Sequence, residues 1–137
     1  MTEGIVALQR TRARRARIPS AYVLVAEDDV LIADHLGELV RDAGHLVLGP
    51  VGSVADALDL LRARMPDAAL LDYGLSDGPA VRVAEALRVS DVPYALSTGV
   101  GLCDLPDELA AAPRLAKPFG AEEVERVLRE LLNNDRS

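Results

Sequence analysis

Short apolar runs alternating with amphipathic stretches predict an α/β fold, a five-stranded parallel sheet flanked by helices. Ala68-Ala69-Leu70-Leu71 shows the pattern most clearly, with Pro66 before it and Asp72-Tyr73-Gly74 closing it. A strand that does not alternate apolar with polar is buried on both faces, and such strands belong to parallel sheets covered by helices. The length agrees: 137 residues, 50% of them apolar, suit one domain with a substantial core.

The elements follow in order. Tyr22-Val23-Leu24-Val25-Ala26 is a buried strand that stops at three acids, Glu27, Asp28 and Asp29. Asp29 suits the cap of a helix in which Leu31, Ile32, Leu36, Leu39 and Val40 recur near helical spacing, and Gly44 ends it. Leu46-Val47-Leu48 is a second strand, closed by Gly49 and Pro50. Ser53 caps the next helix, with Val54, Ala57, Leu58 and Leu61 inward. After the third strand, Ala68 to Asp72, Pro79 fits the first turn of a helix with the stripe Val83, Ala84 and Leu87. Val92 to Leu96 makes a fourth strand leading into Ser97, Thr98 and Gly99. The fourth helix is short or distorted, because Gly99, Gly101, Pro106 and Pro113 leave room only for Asp107 to Ala112. Arg114 to Lys117 is a brief fifth strand. Ala121 to Leu132 closes the fold as a helix with Val124, Val127, Leu128, Leu131 and Leu132 inward. Right-handed crossovers connect the parallel strands.

Charge divides the chain. Residues 1–20 form an arm with Arg10, Arg12, Arg14, Arg15 and Arg17 against Glu3, while 21–133 make the domain and 134–137 a tail. Outside the arm, ten basic residues face 21 acidic ones, a formal charge of −11 that disfavours nucleic acid as a partner of the domain. Tyr22, Tyr73, Tyr94 and Phe119 are the whole aromatic set, too few for a base-stacking platform. Cys103 is the single cysteine and offers neither a disulfide nor a metal cluster. The sequence has no long apolar stretch and no secretory signal, so a cytosolic protein without membrane contact is expected. Lys117 is the only lysine among fifteen basic residues.

Ligands of parallel sheets collect at the carboxyl ends of the strands, which makes Asp72 a candidate site. An aspartate after a strand also serves as a turn or cap, so its neighbours decide. Glu27 and Asp28 reach the same edge from the first strand. Three ionised carboxylates need a cation between them, and an all-oxygen set suits Mg²⁺. Thr98 adds a hydroxyl at the end of the fourth strand, and Lys117 adds a mobile cation at the end of the fifth.

With Val25-Ala26-Glu27-Asp28-Asp29, Pro66-Asp67 through Leu71-Asp72, Ser97-Thr98-Gly99 and Lys117-Pro118-Phe119 in this order, residues 21–133 resemble the receiver domain of two-component response regulators, with its (βα)5 flavodoxin-like fold. The resemblance implies that Asp72 accepts a phosphoryl group from a phosphohistidine on a sensor histidine kinase or histidine phosphotransfer protein. It also implies that Asp28, Asp72 and the Gly74 carbonyl ligate Mg²⁺, with Glu27 acting through metal-bound water. Thr98 would then bond a phosphoryl oxygen, Lys117 would pair with the phosphoaspartate, and the Lys117-Pro118 bond is often cis in the family.

Three departures concern output. Ser76 stands where many receivers have proline, Arg114 where many have a switching aromatic, and Val100 where a variant, often stand-alone, Thr-Gly branch has an aromatic. The expected function is that of a single-domain response regulator, not an enzyme, signalling to a downstream protein or acting as a phosphorelay or phosphate sink. The alternative is a phosphorylation-independent interaction module. A phosphohydrolase reading is weaker, since Gly74 replaces the second aspartate such enzymes carry. His35 and His45 read as ordinary surface or half-buried residues.

Overall fold

The computed structural model describes residues 20–98 and 105–134. Five strands, β1 (Tyr22–Ala26), β2 (Leu46–Val51), β3 (Ala68–Asp72), β4 (Tyr94–Thr98) and β5 (Arg114–Ala116), form one parallel sheet in the order β2-β1-β3-β4-β5. Helices α1 (Val30–Asp42), α2 (Val54–Ala63), α3 (Val81–Val89), α4 (Asp107–Ala110) and α5 (Ala121–Asn134) complete the fold. The strand order reverses between β1 and β3, and that switch point is where an open parallel sheet leaves a crevice at its carboxyl edge.

Side chains alternate across the strands and feed two cores. Leu24, Ala69, Leu71 and Leu96 pack with Val54, Leu61, Val83, Leu87 and Leu109, on the α2, α3 and α4 side. Val23, Val25, Leu70, Ala95 and Leu115 pack with Leu36, Val40, Val124, Val127, Leu128 and Leu131, on the α1 and α5 side. Every residue of β3 is buried, as its unbroken apolar run predicts.

The expected caps form. Asp29 Oδ1 accepts from the Leu31 and Ile32 N–H groups at 3.0 and 3.2 Å, and Ser53 Oγ accepts from Asp56 N–H at 3.0 Å. Gly44, at φ 97°, ends α1 while its N–H bonds Arg41 O and the His45 N–H bonds Val40 O. Leu31, expected on the inner stripe of α1, is instead exposed beside Val30, because the first turn of α1 starts beyond the strand end.

Several boundaries differ from expectation. Strand β2 runs through Gly49-Pro50 to Val51, because between Leu24 and Ala26 the register slips and β2 gains a residue. A bulge on an edge strand tolerates a proline that has no N–H to donate. Gly49 takes φ 96°, and a Cβ there would stand 2.8 Å from Val51 N. Pro79 is not in a helical turn; Gly78–Pro79 pairs antiparallel with Gly74–Leu75 in a small hairpin, and α3 begins at Val81. Strand β4 starts at Tyr94 rather than Val92, because the Val92 N–H closes the end of α3 on Leu87 O at 2.8 Å after Asp91 turns to φ 59°. It runs through Ser97 to Thr98, past its expected end at Leu96, while β5 stops at Ala116. Helix α4 is short, as expected. The Arg-rich arm and the readings at Gly99, Val100, Gly101 and Cys103 lie outside the described residues.

Candidate functional site

Three strand ends converge at the carboxyl edge. In the β1–β3 pairing Ala26 faces Leu71, so one step further brings Glu27 beside Asp72. Asp28 follows Glu27, and one oxygen from each of Glu27, Asp28 and Asp72 lies within 4.8 Å of the others. Glu27 is 3% exposed and Asp72 9%, while Asp28 is open to solvent. Lys117 Nζ, from beyond β5, stands 2.9 Å from Glu27 Oε1 and 3.4 Å from Asp72 Oδ2. The lysine therefore reaches across β4 and β3 to the far acid. The Lys117–Pro118 peptide is cis, as is Gly49–Pro50.

The electrostatics follow from burial. Desolvation pushes the Glu27 pKa above its ordinary value, against the backbone N–H of Asp29, which donates to Oε2 at 3.0 Å and favours the ionised form. Burial works against the Lys117 charge too, but the pairing with Glu27 and Asp72 outweighs it and holds its pKa above the usual lysine value. Beyond its ion pair with Lys117, this buried Glu27 Oε1 has no hydrogen-bond donor among the described residues. An orphaned carboxylate oxygen inside a cluster of hard oxygen donors fits a hydrated divalent cation such as Mg²⁺.

Gly74 opens the hairpin two residues after Asp72, and its N–H lies 3.4 Å from Asp72 Oδ1. Gly74 has no atom within 4 Å of where a Cβ would sit, so the approach to Asp72 is open on that side. The backbone of Thr98 ends β4 opposite Ala116; its side chain lies outside the described residues. The structure thus brings together Glu27, Asp28, Asp72 and Lys117, with Gly74 adjacent and Thr98 at the same edge. His35 is exposed on α1 and its ring lies parallel to that of Phe119, centroids 6.1 Å apart.

The structure gives three residues contacts that the sequence reading did not anticipate. Asp77, at the hairpin tip, accepts from the N–H groups of Val54 at 2.6 Å and Ala55 at 3.1 Å, tying the loop after Asp72 to the start of α2. No sequence signal marks a partner 23 residues away. Ser97 is 2% exposed and its hydroxyl has no hydrogen-bond partner among the described residues. Arg114 folds back onto α4, its guanidinium bonding Ala112 O at 3.2 Å and Ala110 O at 2.6 Å.

Comparison with known proteins agrees with this geometry. No family model matches the chain. Among curated proteins, the virulence transcriptional regulatory protein PhoP of Salmonella typhimurium is 31% identical over 118 residues, covering 82% of this chain and 52% of PhoP. The transcriptional regulatory protein PdtaR of Mycobacterium tuberculosis is 26% identical over 106 residues, 74% of this chain and 52% of PdtaR. The chain spans about half the length of these relatives. Among solved structures, SdrG from Sphingomonas melonis Fr1 is 33% identical, with TM-score 0.73, over 82% of this chain and 97% of SdrG. The receiver domain of the response regulator PhyR from Erythrobacter litoralis is 26% identical, with TM-score 0.75, over 88% of this chain and 96% of that domain. With this sheet order, this acidic edge and relatives matched across nearly the whole of SdrG, the chain belongs to the receiver domains of two-component response regulators.

Proposed function

We propose that the chain is a phosphoacceptor in two-component signalling, taking a phosphoryl group on Asp72 from a phosphohistidine of a sensor kinase or phosphotransfer protein. The observation that carries this reading is the lysine bridge, a single ammonium 2.9 Å from Glu27 and 3.4 Å from Asp72 across two strands. An Asp72 carboxylate oxygen forms the new bond to phosphorus while the phosphorus–nitrogen bond to histidine breaks and the imidazole keeps the electron pair. Lys117 supports the charge of the transferring group, and Thr98 bonds one of its oxygens. Asp28, Asp72 and the Gly74 carbonyl would hold Mg²⁺, with Glu27 through water. When bound, the ion neutralises charge on the phosphoryl oxygens.

A dianion on Asp72 then draws Lys117 and Thr98, and the loops that carry them shift between two arrangements. Readout by a downstream protein, or service as a relay or phosphate sink, follows from that shift. Incubation with Mg²⁺ and acetyl phosphate adds one phosphoryl group, and Asp72→Asn abolishes it; labelling that survives the substitution overturns the assignment. Arg114, bonded to α4 where a switching aromatic is usual, favours a second reading as a phosphorylation-independent interaction module. A thermal melt separates the two: the phosphoacceptor gains stability from Mg²⁺ plus beryllofluoride, about 2.7 kcal/mol at a hundredfold excess over Kd, and the interaction module gains none.

A further inference from the structure

The hydroxyl of Ser97 belongs to the same chemistry. Asp72 and Ser97 are directly paired in the β3–β4 ladder, so their side chains leave the sheet on the same face and at the same level. Ser97 in turn pairs with Leu115 of β5, two residues before Lys117. With the strands in the order β1-β3-β4-β5, a Lys117 side chain that ends beside Glu27 and Asp72 passes over the carboxyl end of β4, the end that carries Ser97. Ser97 is 2% exposed, and its Oγ has no hydrogen-bond partner among the described residues. A buried orphan hydroxyl destabilises a fold, so one beside a charged group calls for an explanation.

The partner it lacks is at hand. An ammonium has three N–H donors, and Lys117 faces two carboxylates, so at least one donor is available to a hydroxyl. At rest Nζ lies nearer Glu27, on the far strand, than Asp72. Charge added at Asp72 draws the ammonium back toward β3 and β4, and that path brings it to the Ser97 hydroxyl. We propose that Ser97 is a positioning residue for phosphoryl transfer, its Oγ accepting the third N–H of Lys117 and holding the ammonium against the phosphoryl group on Asp72. This assignment rests on the phosphoacceptor reading above and deepens it.

The test compares full-length wild type, Ser97→Ala, Lys117→Ala and the double variant in labelling by acetyl phosphate with Mg²⁺, alongside thermal melts. Ser97→Ala is expected to melt at or above the wild-type temperature, because it removes an unsatisfied buried hydroxyl, yet to be labelled about tenfold more slowly, as for a lost hydrogen bond to a charged group. In the Lys117→Ala background the same change has no further effect, since the serine acts through the lysine. A Ser97→Ala protein labelled at the wild-type rate, one that melts clearly lower, or two substitutions whose effects simply add would each overturn the role. If wild type labels and Asp72→Asn does not, such a result removes Ser97 alone. If wild type takes no phosphoryl group, the phosphoacceptor reading fails and the Ser97 role falls with it.

Discussion

Glu27 shows how one side chain ties stability to chemistry. Its carboxylate is 3% exposed and has Lys117 as its counter-charge. Breaking a buried pair from one side leaves an uncompensated charge, so Lys117→Met is expected to cost about 3 kcal/mol at neutral pH. Burial already pushes the Glu27 pKa upward, and protonation removes the orphan charge. The deficit, read from urea midpoints, therefore shrinks as pH falls toward 5; a deficit equal at pH 5 and 8 would mean the pair is not its cause. His45 titrates in the other sense at the opposite edge. Its Nδ1 accepts the Ala21 N–H at 3.1 Å, and burial, only partly offset by Asp67, lowers its pKa below 6.5. A depressed histidine pKa contributes stability that is present above 6.5 and lost as pH falls through the folded value. Wild type should thus lose more stability below pH 6.5 than His45→Gln, measured as denaturation midpoint against pH.

At the scale of elements, the loop after Asp72 is held from outside its own sequence. Asp77 caps the first two amides of α2, Ser53 caps the third, and the Ser76 N–H bonds Gly52 O at 3.0 Å. The Val54 N–H bond is the main reason the Asp77 pKa is lowered, so its contribution is present above the ordinary carboxylate range and fades as pH drops through the folded value. Asp77→Ala is expected to lower the melting temperature and speed amide exchange at Val54 and Ala55, with little change at α5; uniform exchange across the helices would contradict a local tether. Arg114 plays a parallel part at the other side. A cation at the last carbonyl of α4, Ala110, and at Ala112 just beyond it satisfies groups that a four-residue helix cannot satisfy itself.

The whole molecule is a sheet packed on both faces with its chemistry confined to one edge. Leu70 lies at the centre of the α1 and α5 core and is fully buried. Leu70→Ala should cost about 3 kcal/mol, the usual range for a large-to-small change in a packed core, in a single cooperative unfolding transition. A cost below about 1 kcal/mol would mean that the core collapses around the vacancy far better than close packing allows. The acidic balance of the domain adds a long-range term: the proposed Mg²⁺ would relieve repulsion among carboxylates at the edge and so couple divalent ion concentration to stability.

The sequence by itself determined the strand and helix alternation, the two caps at Asp29 and Ser53, the short fourth helix, and the set Glu27, Asp28, Asp72, Thr98 and Lys117 at strand ends. All of these rest on local signals: apolar runs, capping residues, and the rule that parallel strands end at a common edge. The bulge at Gly49-Pro50, the hairpin that takes Pro79 out of α3, the Asp77 tether and the Arg114 bonds to α4 were decided by tertiary structure alone. Each depends on which backbone group of a distant segment arrives beside it, and the chain carries no local mark of that. The same holds for Ser97, which the sequence places just past the fourth strand and which only the β3–β4 register sets beside Asp72.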